Sequence, residues 1–149
     1  MDDPAVLRLL RHAMVARIAT LSRNGRPSVN PLYFIHYRGK LWLGTSDWTL
    51  AARNVKADPR VSLLFNVEGS RFDRRVLRIS GQACVRTDAE VIRPYNLRVA
   101  FKYLLTPGAI FNRLAHLRQA MLHRYYRAQN AAKGLPCVIE VTPEMVEWI

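Results

Sequence analysis

Acidic side chains are scarce in this chain: 11 Asp and Glu stand against 23 Lys and Arg in 149 residues, a formal net charge of +12. Such a balance implies an anionic partner, whether a phosphorylated cofactor, nucleic acid or a membrane surface. Cysteine is nearly absent as well. Cys84 and Cys137 are the only two, and both sit in apolar, strand-like runs. Two lone thiols make neither a disulfide framework nor a metal centre, so both are expected to be reduced, partly buried strand residues. No uncharged apolar run reaches the roughly 18 residues of a membrane-spanning helix. The opening Met1-Asp2-Asp3-Pro4 is acidic where a signal peptide would be basic, and Arg8 and Arg11 interrupt the residues after it, so a cytoplasmic location is expected. His12, His36, His116 and His123 have no metal-ligand spacing. HExxH, GxSxG and a Walker-type phosphate loop are all missing, which sets aside the hydrolase and nucleotidase chemistries that rest on them.

What is present is a succession of short strands. Strands are expected at 16–21, 27–37, 41–45, 61–66, 76–86 and 136–141, with turns at Asn24-Gly25 and Arg38-Gly39-Lys40. The run Val76 to Arg86 sets Leu77, Ile79, Gly81 and Ala83 against Arg78, Ser80 and Gln82. That period of two marks a strand with one buried face. Gly81 inside it points to a bulge or a close backbone approach.

The helices fall around these strands. Ala5 to Met14 reads as a helix with Val6, Leu9 and Leu10 on one face. A short helical piece carries Arg53-Asn54. Thr87-Asp88 reads as the N-cap of a helix running to about Leu105, where Thr106-Pro107-Gly108 breaks it. A further helix is expected over 109–130, with Ile110, Leu114, Leu117, Met121 and Tyr125 as its apolar stripe. Thr142-Pro143-Glu144 is expected to cap a short ending. The positive charge concentrates here: from Arg93 to Lys133 there are eight Arg or Lys and no Asp or Glu.

The order strand, Asn-Gly turn, long strand, Arg-Gly turn, strand, Arg53-Asn54 helix, Asp58-Pro59-Arg60 and strand resembles the flavin- and deazaflavin-binding split barrels, the superfamily that includes pyridoxamine 5'-phosphate oxidase. The resemblance covers most of residues 15–86 and 136–148. It implies a mainly β fold with helical additions (α+β), a six-stranded antiparallel split β-barrel. Residues 1–149 would form a single split-barrel domain, with a basic helical insertion at about 88–133. It also implies a homodimer with two cofactor sites in its interface, a small-molecule substrate, and FMN as cofactor, with the deazaflavin F420 as the alternative.

Carried over residue by residue, the resemblance places Asn30, Pro31 and Leu32 along the isoalloxazine edge. Thr45, Ser46, Thr49 and Arg53 fall at the ribityl and phosphate end. The physics suits the assignment. A proline within a strand is confined to edges or bulges, a helix N-terminus offers free donors, and an arginine fork holds a phosphate bidentately. Plain helix capping would equally account for Thr45-Ser46-Asp47. Trp42 and Trp48 flank the expected site, where a ring could stack on a flavin or simply fill the core.

The departures matter. The family's phosphate-binding lysine in Lys-x-Arg-Asn is Ala51 here. The second-strand arginine and lysine of pyridoxamine 5'-phosphate oxidase fall near Asn30 and Ile35, and its arginine–lysine pair at Leu50-Ala51. The enzyme's C-terminal arginine-rich signature is also missing. The chain is therefore expected to be a flavin-dependent small oxidoreductase other than that enzyme, an F420-dependent reductase, or a member that has lost its cofactor. A different class of reading makes the basic helices a surface for nucleic acid or anionic membrane. Within the flavoprotein reading, Tyr103, Phe111, Tyr125 and Tyr126 line an apolar pocket with Arg98 or Lys102 drawing in an anion, or else the helices merely cover the barrel.

Overall fold

The computed structural model describes residues 3–66, 76–104 and 134–149. The helix expected over 109–130, with Phe111, Tyr125, Tyr126 and most of the basic stretch, lies outside them. The described elements are α1 (Pro4–His12), β1 (Ala16–Leu21), β2 (Pro27–Leu32), β3 (Phe34–Tyr37), β4 (Lys40–Ser46), α2 (Leu50–Ala57), β5 (Arg60–Phe65), β6 (Leu77–Arg86), α3 (Ala89–Leu104) and β7 (Pro136–Trp148). The strands form one antiparallel sheet in the order β2-β1-β5-β6-β7-β4-β3. This is the split-barrel architecture, with seven strands rather than six. The expected strand 27–37 is broken at Tyr33, because its halves pair with opposite margins of the sheet: β2 with β1 and β3 with β4. One straight strand cannot do both. At the corner the Tyr33 carbonyl accepts from the Gly44 N–H at 3.2 Å and the Tyr95 hydroxyl at 3.3 Å.

β7 is the other correction. Thr142-Pro143-Glu144 does not cap anything; the strand runs on to Trp148. The pairing with β6 shifts register between Ser80 and Gly81, so that Ser80 faces Met145 and Gly81 faces Pro143. A Cβ on Gly81 would collide with the Thr142 carbonyl oxygen. The bulge and the close approach expected at Gly81 are thus one feature, and it lets a proline, which has no N–H to donate, sit inside a long strand.

The inner face of the sheet holds the main core, with Ile18, Phe34, Leu43, Leu63, Ile79 and Val141 fully buried among others. Phe34 and Phe65 meet edge to face at 4.8 Å. α1 closes onto this core through Val6, Leu9 and Leu10. It starts where Asp3 accepts from the Ala5 N–H at 2.8 Å and Pro4 takes the first helical turn. α2 packs there through Ala51 and Val55.

The outer face carries a second, smaller cluster of Ile35, Trp42, Val91, Tyr95 and Val138, formed by α3 lying on β3, β4 and β7. The alternation Leu41, Trp42, Leu43 sends Trp42 outward between two inward leucines. α3 does begin just after Thr87-Asp88, but the Asp88 carboxylate is taken by Arg86, at 2.7 and 2.9 Å. Cys137 is buried as expected, and burial pushes its thiol up to about 11. Cys84 is exposed, contrary to expectation, because it falls on the outward phase of β6. No helix among the described residues is long and apolar enough to cross a membrane.

Candidate functional site

β2 is a margin of the sheet, with a strand partner on one side only. Pro27 and Pro31 are tolerated there for that reason. The strand is fixed at both ends. Ser28 is held by Asn54 of α2, and Tyr33, just past its end, is held by Gly44 of β4. Asn30, Pro31 and Leu32 therefore span the interval between the last turn of β4 and the body of α2. The Oδ1 of Asn30 is enclosed and has no donor among the described residues, a situation that costs about 1–3 kcal/mol when left unrelieved.

Thr45, Ser46, Thr49 and Arg53 come together where β4 passes into α2. Thr49 is the N-cap: its hydroxyl accepts from the Ala52 N–H at 3.4 Å and donates to the Ser46 carbonyl at 2.8 Å. Its single proton is then spent, so the 3.0 Å contact between Thr45 and Thr49 has Thr45 as donor. Both threonine protons are thus used within the cap. The groups left to meet an anion are the Ser46 hydroxyl, the Arg53 guanidinium and the free N–H groups of the first helical turn. Arg53 is exposed, and its side chain makes no hydrogen bond or ion pair among the described residues. Ala51, at the family's lysine position, is buried in the core under the helix.

Asn54 carries a role that the sequence reading missed. It is 4% exposed and donates from Nδ2 to the hydroxyls of Thr20 and Ser28, both at 3.0 Å, while those hydroxyls lie 3.0 Å from each other. This three-way contact clamps α2 to β1 and β2. The sequence signals of Asn54 are its place in the Lys-x-Arg-Asn motif and its lying on the same helical face as Ala51 and Val55.

Trp42 does not flank this site. It lies on the other face of the sheet, and its indole N–H donates to Glu140 at 2.9 Å. Glu140, itself 6% exposed, also meets Lys40 at 2.8 Å and Arg86 at 3.5 Å. Trp48 is beside the site: it is exposed, and Gly134 passes so close to its ring that a Cβ would clash. Tyr103 is half-buried beside the corner of the sheet. Its hydroxyl lies 2.7 Å from the Met14 carbonyl and 3.0 Å from that of Phe34, and burial pushes its phenol well above the usual value. Its ring packs on Tyr33 at 4.8 Å.

The model of the pyridoxamine 5'-phosphate oxidase family matches residues 2–148. The chain belongs to the pyridoxamine 5'-phosphate oxidase family. Solved structures agree on the fold of this family member. A conserved hypothetical protein of Mycobacterium tuberculosis superposes with a TM-score of 0.72 at 17% identity, covering 99% of this chain and 84% of its own. The haem storage protein HutZ of Vibrio cholerae gives 0.66 at 18% identity, covering 99% and 92%. An F420 reductase gives 0.63 at 20% identity, covering 94% of each chain. No curated protein matches the sequence. Neighbours of such different names share the barrel alone, and the barrel by itself does not fix function.

Proposed function

We propose that this chain is a flavin-binding oxidoreductase that holds FMN against β2 and the N-terminus of α2, in the interface of a homodimer. The observation that carries the reading is Arg53: an exposed guanidinium without a partner among the described residues, on the first turns of a helix whose leading N–H groups are free, beside a strand margin. Ser46 adds a hydroxyl, while Thr45 and Thr49 hold the cap rather than the phosphate. Asn30 to Leu32 would face the ring. The homodimer accounts for apolar side chains left open around this region: Val29, Tyr33, Trp48 and Leu50 are 40–60% exposed, a cluster that a second copy would cover. Bound FMN supplies the redox chemistry, and the protein supplies position and electrostatics. With Ala51 in place of the family's lysine, the chain is read as distinct from pyridoxamine 5'-phosphate oxidase itself.

The deazaflavin F420 is the alternative cofactor, favoured by the basic composition. Parallel titrations with FMN and F420, followed by fluorescence quenching, separate the two. Arg53→Ala is expected to weaken binding of the true cofactor by about 1.5–3 kcal/mol, the worth of a charged hydrogen bond. Equal binding by the wild type and Arg53→Ala would remove the site assignment.

A further inference from the structure

Away from the α2 region, a cavity of about 570 Å³ opens between α1, β3 and α3, within the usual size range of small-molecule sites. Leu7, Leu10 and Phe101 give it an apolar wall, and Arg11, Arg98 and Lys102 give it three cations, with no acid among its lining residues. A second hollow of about 450 Å³ shares Arg98 and Phe101 and extends along α3 past Leu97 and Arg93. None of the residues assigned above to FMN lines either one.

The cations are unmatched. Among the described residues, Arg11, Arg98 and Lys102 make no ion pair. Arg98 lies over the Tyr37 ring at 3.8 Å. Lys102 Nζ sits 3.6 Å above the Phe34 ring and donates to the carbonyls of Leu10, at 3.1 Å, and Phe34, at 3.4 Å. Two carbonyls occupy two of its three donors and leave one. Burying an ammonium without a carboxylate is costly. Its amine is accordingly held below the usual range, at about 8. Arg11 and Arg98 are exposed to solvent, so the hollow sets one half-buried ammonium and two accessible guanidinium groups beside an apolar wall, a lining that favours an organic anion.

We infer that the cavity between α1 and α3 binds an organic anion, a carboxylate or phosphate head on an apolar body, at a site separate from the FMN site. The head meets Lys102, Arg98 and Arg11, and the body lies along Leu7, Leu10, Phe101 and on towards Leu97.

The test is calorimetric titration of the full chain with decanoate, decyl phosphate and decanol, all below their aggregation limits. Binding of either anion with no detectable binding of decanol is expected; the two anionic arms tell a carboxylate ligand from a phosphate one. Arg11→Ala, which alters an exposed helical side chain and leaves the core intact, should weaken the anion at least about tenfold, as should Lys102→Met. Arg53→Ala should leave it unchanged. Decanol binding as well as the anions, binding by none of the three, or undiminished binding by Arg11→Ala and Lys102→Met overturns the inference. Failure of FMN to bind leaves these outcomes intact, because the titrations contain no flavin.

Discussion

The carboxamide of Asn54 reaches across from α2 to donate to Ser28, 3.0 Å away on the sheet margin. That bond, with its twin to Thr20 on β1, adds a polar clamp to the packing of Ala51 and Val55 and ties the helix bearing Arg53 to the strand bearing Asn30.

Asn54→Ala should therefore lower stability by about 2–3 kcal/mol. It opens a small void and leaves two hydroxyls without their donor. Urea unfolding measures the loss. Asn54→Asp, which keeps the volume and removes the amide donors, should be at least as damaging. A loss below about 0.5 kcal/mol for both would show that the clamp does not hold.

Gly81 and Gly44 make a matched pair. A Cβ at Gly81 meets the Thr142 carbonyl, which is backbone in a paired strand, whereas a Cβ at Gly44 meets the far end of the Tyr95 ring. Gly81→Ala is expected to cost more, at about 3 kcal/mol, than Gly44→Ala, at about 1–2 kcal/mol, because a ring on a helix can shift and a ladder cannot. Thermal unfolding of both variants ranks them, and the reverse order would contradict the bulge geometry.

Lys102 gives stability a dependence on alkaline pH. Its amine titrates at about 8 in the folded protein, against 10.5 when free of burial. Below pH 8 it is charged in both states and the folded chain bears the full desolvation cost. Between about pH 8 and 10.5 the unfolded chain binds more protons, so stability rises with pH. Lys102→Met removes this contribution. The variant should be the more stable protein near pH 7, by on the order of 2 kcal/mol, and the gap should close towards pH 10.5. Other titrating groups are common to both proteins and cancel in the difference. A gap that stays constant across this range would mean the ammonium is solvated.

Glu140→Ala should cost about 1–3 kcal/mol. It removes the carboxylate that is shared by Trp42, Lys40 and Arg86 on the covered face of the sheet and leaves the buried indole N–H of Trp42 without its acceptor, while Arg86 keeps Asp88 and Lys40 turns to solvent. Chemical unfolding gives the cost, and a change in tryptophan emission reports the lost indole contact. Because this cluster lies on the opposite face from α2, affinity for FMN should change little in the same variant.

Local patterns in the sequence were enough for most of the fold. The alternation through Leu77, Ile79 and Ala83 is realised in β6, and Gly25 and Gly39 take the positive φ of 72° that their turns require. What escaped was non-local. Thr142-Pro143-Glu144 has the composition of a helix start, and only Gly81, sixty residues earlier on the neighbouring strand, explains why it stays extended. Tyr33 looks like any strand residue until β1 and β4 are known to lie at different ends of the sheet order. At the candidate site, the residue types at the β4–α2 junction were legible. The spending of the Thr45 and Thr49 protons within the cap was not, since it depends on donor directions that no spacing encodes. Nor was the burial of Asn54, because a buried asparagine and an exposed one look alike in a short helix.

The corner at Tyr33 has a further consequence. The outermost strands of the sheet, β2 and β3, are separated in the chain by this one residue. Peeling β2 away drags residue 33 off Gly44 and loosens the first pair of β3 against β4. Fraying at the two margins is thus one event, and their amide hydrogens should exchange with solvent together. A molecule bound along Asn30 to Leu32 would then slow exchange at Phe34 to Tyr37, on a strand it never touches.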